Sequence, residues 1–370
     1  MKKIFAVLMT IICAMTVLSA CSFEEFAEDL REKRETTEEE AENEPVDVTV
    51  KDKYAIVTQK AGDPYYDLIA QAFKSVCTES DNECIICAPE KGLSSEQASI
   101  VQDLIKQKVS AIAISPIDPK AIRPTLKKAM KAGIHVCSYD TMARPSAREL
   151  HISGSEIPSV ASTLLDAVMD LSGGTGEWAV LSTRSTAYNQ NQWIKTMKSL
   201  CEEDEKYKPL TFAQTAYCEE DYQKAYDQTI SILSMNPDVK VIVALSTTAM
   251  RGAAQAVMDQ ESDAFVTGIG LPSALEKYIG YDLACPYMFM WSPYTLGRVT
   301  AYAAIGLGTG KITGEADEQF RIGEEEVYQV TEAPDEATEV IVDYPRHYDS
   351  GNIADLADDA SITQEEIKNG

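Results

Sequence analysis

From Tyr54 onward the chain alternates short apolar runs with longer segments of helical periodicity, and this alternation restricts the fold more than any other feature. YAIVTQ (54–59), CIIC (84–87), AIAIS (111–115) and IHVCSY (134–139) are separated by helical patterns at 65–79, 96–107 and 120–132. The runs are apolar at successive positions, not at every second one. A strand covered on one face alternates, whereas a strand covered by helices on both faces does not, so these runs point to a parallel sheet. Gly133 supplies a stop for the helix before IHVCSY, because glycine tolerates the left-handed conformation beyond a helix end. The pattern then restarts with LHIS (150–153), WAVLS (178–182), TFAQTA (211–216), VKVIVALS (239–246), FVTGIG (265–270) and YMFMW (287–291). Two such runs exceed a single layered domain, so two α/β lobes are expected, with the break at the polar TMARPSAREL (141–150). Beyond Gln319 the chain is irregular but carries the strand-like VYQV (327–330) and TEVIV (338–342).

The start of the chain has a different character. MKKIFAVLMTIICAMTVLSAC opens with Lys2 and Lys3, continues apolar to Leu18, and places small residues before Cys21. That is the pattern of a secretory leader, too short and wrongly flanked for a membrane span. Residues 22–47 hold twelve acidic and three basic side chains with little to bury, and read as a solvated stalk. The formal net charge of −26 becomes still more negative once the leader is removed. Such a balance argues against nucleic acid and anionic lipid, which are bound by clustered Lys and Arg.

Several chemistries are disfavoured by context. The three histidines are not close-spaced, and no zinc pattern is expected. GLGTG (306–310) ends a helical pattern instead of linking a first strand to a helix, so a dinucleotide cofactor is not expected. CIIC has redox spacing, but residues i and i+3 of a strand point to opposite faces. Cys77 could pair with Cys84 or with Cys87, and spacing does not choose between them.

In open α/β sheets, ligands bind beyond the carboxyl ends of the strands. The residues there are Lys60 after the first strand, Tyr139 and Asp140 after the fourth, and STRSTAYNQNQ (182–192) in the second half. Ser246 and Thr247 follow a further strand, as do Trp291 and Ser292. Aromatic rings stack on the apolar faces of a small polyol, while amides, carboxylates and a lysine answer its hydroxyls. Asp140 also suits a turn cap. Asn189 suits the N-cap of a helix at 192–200, and Trp291 suits the core.

AYNQNQWIKTM (187–197), CSYD (137–140), AIAISPIDPKAIRPTLKKAMKAGI (111–134), FMWSPYTLGRVTAY (289–302) and VDYPRHYDSGNI (342–353) occur in an order that resembles the type I periplasmic binding proteins of sugar ABC transporters. The likeness covers residues 52–354 and points to the subgroup with autoinducer-2 and rhamnose binders. LSAC likewise resembles the bacterial lipobox, in which the cysteine is lipidated.

The resemblance implies an α/β protein of two Rossmann-like lobes with a three-segment hinge and a ligand cleft between them. The expected division is a signal peptide at 1–20, a lipidated acidic linker at 21–51 and an acidic tail at 355–370. The N-terminal lobe takes 52–143 with about 293–320, and the C-terminal lobe takes 146–291 with part of 321–354. The implied protein is a monomeric lipoprotein, anchored through Cys21 to the outer face of the cell membrane. It would bind a small sugar and present it to an ABC transporter permease, with no catalytic residue, metal or cofactor. Matched by position, Lys60 corresponds to a lysine that holds ligand oxygen, Tyr65 and Tyr66 to an aromatic pair, and Asp140 to an acceptor carboxylate. Gln190 and Trp291 are retained. Asn189 and Ser292 stand where autoinducer-2 binders have aspartates, and Leu245 stands where they have proline. With two carboxylates replaced, a rhamnose-like deoxyhexose or a pentose is favoured, and autoinducer-2 is the second ligand. A sensor-kinase partner and a carbohydrate-active enzyme are the remaining alternatives.

Overall fold

The computed structural model describes residues 52–323 and 326–353. The expected leader, Cys21, the acidic linker and the tail at 355–370 lie outside them. Among the described residues, no helix is long and apolar enough to cross a membrane.

The first lobe is wound from β1 (Lys53–Val57), α1 (Pro64–Glu79), β2 (Glu83–Cys87), α2 (Ser94–Gln107), β3 (Ala111–Ile114), α3 (Pro119–Lys131), β4 (His135–Tyr139) and β5 (Leu150–Ser153). Tyr54–Val57 and all of β3 are fully buried, as expected of strands sandwiched between helices. Helix starts are set locally. Asp63 accepts from the Tyr65 backbone N–H at 3.0 Å with Pro64 behind it, and Asp118 with Pro119 repeats the device.

The second lobe follows: α4 (Ile157–Ser172), β6 (Gly176–Ser182), α5 (Tyr188–Glu203), β7 (Leu210–Tyr217), α6 (Tyr222–Met235), β8 (Val239–Ala244), α7 (Thr247–Asp259), β9 (Phe265–Gly268), α8 (Pro272–Leu275) and β10 (Tyr287–Met290). Its parallel sheet has the order β7-β6-β8-β9, with β10 bridged alongside through Ile269 and Phe289.

Helix α9 (Pro293–Thr309) returns to the first lobe and packs on α1, β3 and β4. Gly297 makes this possible, because a Cβ there would lie 2.3 Å from the Ile69 carbonyl. A hairpin of β11 (Gln319–Ile322) and β12 (Glu326–Gln329) leads to β13 (Thr331–Glu332), β14 (Thr338–Ile341) and β15 (Arg346–Asp349). The first sheet has the order β13-β14-β5-β4-β3-β1-β2, and β15 pairs with β10 of the second lobe. The chain therefore crosses between lobes at 154–156, 291–292 and 342–345.

Two boundaries differ from the sequence-based expectation. LHIS opens no second lobe: it is β5, bonded between β4 and β14 in the first sheet. The polar TMARPSAREL is not the break, because its one buried charge is matched by a carboxylate between the first lobe's own C-terminal strands. Arg148 is buried and clamps Asp335 through two bonds of 2.7 and 2.9 Å. Breaking such a buried pair costs about 3–5 kcal/mol, so this segment is structural and the crossover comes after Ser153. The C-terminal strands are likewise divided: β13 and β14 extend the first sheet, and β15 joins the second lobe.

Candidate functional site

Between the lobes lies a cleft of about 610 Å³, counting its open mouth, at the carboxyl ends of both sets of strands. The first lobe supplies Gln59, Asp63, Tyr65, Tyr66, Asp140 and Thr141. Asp140 ends β4 with φ of 55°, a left-handed conformation uncommon for any residue but glycine, though enriched for Asp. Its carboxylate collects four hydroxyls: Tyr65 donates to Oδ1 at 3.1 Å, and Tyr66, Ser115 and Thr141 donate to Oδ2 at 2.9, 3.2 and 3.3 Å. Burial pushes the Asp140 pKa up, against the downward pull of those four donors. Burial and the Asp140 charge hold both tyrosines well above the ordinary phenol value, so they remain donors. Gln59 Nε2 spans Ser115 Oγ and Thr141 Oγ1, each at 3.0 Å, and closes the network.

The second lobe answers with amides. Gln190 Oε1 accepts from Ser182 Oγ, the Thr183 N–H and Thr183 Oγ1 at 2.7, 2.9 and 3.0 Å, while its Nε2 donates to the Leu245 carbonyl at 3.0 Å. One side chain thus ties the ends of β6 and β8 together. Asn189 is beside it, but not as the expected helix cap. Helix α5 begins at Tyr188 with Ala187 as its N-cap, so Asn189 is in the first turn, where Oδ1 accepts the Gln190 N–H at 2.9 Å. Trp193, also on α5, meets Trp291 edge-to-face at 5.8 Å. Trp291 Nε1 donates to Tyr65 Oη at 3.0 Å, joining the hinge to the first wall. Gly154 is pressed against that indole: a Cβ there would lie 2.4 Å from Nε1.

Eight of the ten residues singled out as ligand-binding line this cleft: Tyr65, Tyr66, Asp140, Asn189, Gln190, Leu245, Thr247 and Trp291. Lys60 does not. The side chain entering after β1 is that of Gln59, and in the bend that follows, Lys60 turns toward Gly92. Ser292 does not line it either. It is the N-cap of α9, accepting from the Thr295 N–H at 3.1 Å, and its own N–H donates to Asp343 Oδ2 at 2.8 Å across the hinge.

The structure adds residues that sequence reasoning did not select, above all Trp193 and Glu220. Glu219 and Glu220 both adopt positive φ, 55° and 53°, which turns Glu220 inward from an acidic loop. Burial, then the facing Asp63 charge, pushes the Glu220 pKa up to about 7, with Arg184, Ser246 and Thr248 pulling it down. Ser246 Oγ lies 3.2 Å from Glu220 Oε2. Asp63 is raised as well, by burial first. Three carboxylates thus line the cleft, yet among the described residues no lysine or arginine does. Among the described residues no cluster of His, Cys, Asp and Glu is arranged to hold a metal ion.

An ABC transporter solute-binding protein from Clostridium phytofermentas, solved with bound L-rhamnose, is similar at 37% identity and a TM-score of 0.81, over 84% of this chain and 99% of that one. A sugar ABC transporter protein from Actinomyces odontolyticus is 29% identical, with a TM-score of 0.68, over 84% and 98% of the two chains. The ribose import binding protein of Bacillus subtilis is 24% identical over 61% of this chain and 72% of its own length. The model of the periplasmic binding protein domain matches residues 54–312, and the chain belongs to that family.

Proposed function

We propose that the protein captures a small sugar outside the cytoplasmic membrane, a rhamnose-like deoxyhexose or a pentose, and delivers it to the permease of an ABC transporter. The carrying observation is the chemistry of the cleft: amides, hydroxyls and carboxylates face one another beside the Trp193–Trp291 pair. A pyranose needs both kinds of surface, since its hydroxyls donate and accept while its C–H faces are apolar. Trp193, Ile269 and Met290 give an apolar patch suited to the methyl group of a deoxyhexose. The relative solved with L-rhamnose, at 37% identity, supports that class. The family binds solutes without converting them, and this chain is a binding protein and not an enzyme. Anchoring through Cys21 and action as a monomer belong to the same proposal.

Autoinducer-2 is the second reading: Asp140, Gln190 and Trp291 line the cleft, and the sequence resemblance implies that they correspond to residues of the binders of that ligand. Calorimetry of the leader-free protein against L-rhamnose, other deoxyhexoses, pentoses and autoinducer-2 separates the two. Heat with L-rhamnose and little with autoinducer-2 is expected. No binding of any of these at millimolar concentration would overturn the ligand class, and turnover of a bound sugar would overturn the receptor role.

A further inference from the structure

Helix α1 carries Asp63, Tyr65 and Tyr66 at one end and Cys77 near the other. Cys77 is fully buried in the last turn of the helix, which packs on the adjacent strand β2, and Cys84 of that strand is its neighbour. The connection between them is short and tightly folded. The Asn82 N–H returns to the Cys77 carbonyl at 2.8 Å, and the Ser80 N–H returns to the Val76 carbonyl at 3.2 Å. Cys84 is opposite Tyr54 on β1 and packs into the same apolar cluster as Tyr54, Phe73 and Cys77. Cys87 packs on the other side of the sheet, with Val57, Val101 and Leu104. Strand geometry therefore separates the CIIC pair and leaves Cys84 as the partner of Cys77.

We propose that Cys77 and Cys84 are a disulfide site, closed when the protein meets the oxidising conditions outside the membrane. The chemistry is thiol–disulfide exchange with a small disulfide or a disulfide-bearing oxidoreductase. The half-buried Cys84 reacts first. The neighbouring Cys77 thiol, and Lys74 one helical turn before it, favour the Cys84 thiolate and hold its pKa below the usual thiol value against the upward push of burial. The Cys84 thiolate attacks one sulfur of the external disulfide, forming a mixed disulfide and releasing a thiolate. Cys77 then loses its proton and attacks the Cys84 sulfur, forming the internal S–S bond and expelling the second thiolate. Two protein thiols are oxidised, and one external disulfide is reduced to two thiols. The bond would join the far end of α1 to the sheet edge, leaving the ligand-facing end untouched.

The test places the folded leader-free protein in glutathione buffers from reducing to oxidising, then blocks free thiols and maps peptides by mass spectrometry. A peptide pair crosslinked between Cys77 and Cys84, with a mass lower by two hydrogens, is expected in wild type and in Cys87→Ser. Cys77→Ser should give only a glutathione adduct on Cys84. Blocking of both Cys77 and Cys84 under the most oxidising buffer overturns the proposal, and so does a crosslink of either one to another cysteine. No sugar is required, so this outcome is independent of the ligand assignment.

Discussion

On the first wall of the cleft, Asp140 gathers the hydroxyls of Tyr65, Tyr66, Ser115 and Thr141, and Gln59 braces two of them. An ionised carboxylate has about four acceptor positions, so these donors fill it. On the second wall, Gln190 is almost as fully engaged, with three donors on its oxygen and one N–H on Leu245. Its neighbours are less tied. Asn189 uses its oxygen on the Gln190 N–H, and Glu220 is held by hydroxyls while opposing Asp63. The contrast assigns different work to the two walls. The first is a preorganised frame, whose removal should damage binding of any ligand, and the second carries the groups that choose among ligands.

The largest effect should come from Asp140→Ala. It strands several buried hydroxyls, at roughly 1 kcal/mol or more each, and puts alanine at a φ it does not favour. Calorimetry should show L-rhamnose affinity falling by about 100-fold or more, with circular dichroism reporting a folded protein. Asp140→Asn tolerates the backbone and keeps one acceptor oxygen, so its loss should be nearer tenfold. Wild-type affinity in both variants would remove the frame from the first wall. Gly154→Ala should come next, because its Cβ would meet the Trp291 indole at 2.4–2.7 Å. Losing the Trp291–Tyr65 bond predicts a drop of about 10–30-fold, with a shifted tryptophan emission. An unchanged affinity would mean that the indole does not link hinge and frame.

Much of this contrast is legible in the sequence, for local reasons. Strands such as AIAIS declare themselves by unbroken apolar character, and ligands of α/β folds lie at strand ends, which brings Asp140, Gln190 and Trp291 forward. What fails depends on backbone direction. Lys60 and Gln59 are neighbours, and only the exit angle of β1 decides which faces the cleft. LHIS has the same apolar character in either lobe, and its place follows from pairing with β14, distant in sequence. Glu220 is hidden in CEED, which reads as a solvated acidic turn; two successive left-handed residues without a glycine aim it inward. The Asn189 cap fails because α5 starts at Tyr188, with no side chain capping it.

Glu220 gives a pH-dependent way to sharpen the comparison. Its pKa is raised from 4.5 to about 7 in the folded protein, so the folded state holds a proton that the unfolded chain releases at lower pH. Stability contributed by that proton is full below about pH 4.5 and declines as pH rises toward 7. Glu220→Gln removes this component. Its urea midpoint relative to wild type should therefore increase across the window and level off above it. Glu339, also raised to about 7, leaves a residual slope in both proteins. A constant offset between the two proteins would mean that Glu220 is not buried against Asp63.

The smallest effect, and the most selective, is expected of Asn189→Asp. The new carboxylate can still accept the Gln190 N–H, and a negative charge in the first turn of α5 suits the helix dipole, so stability should change by less than about 1 kcal/mol. What disappears is the pair of amide donors facing the cleft, and what appears is an acceptor-only group on a wall that already carries Glu220. L-Rhamnose affinity should fall by about fivefold while autoinducer-2 gains, if position 189 corresponds to an aspartate of the autoinducer-2 binders, as the sequence resemblance implies. Paired titrations of both ligands on both proteins test this directly. Equal changes for the two ligands would show that Asn189 positions Gln190 without choosing the ligand, and selectivity would then rest with Glu220.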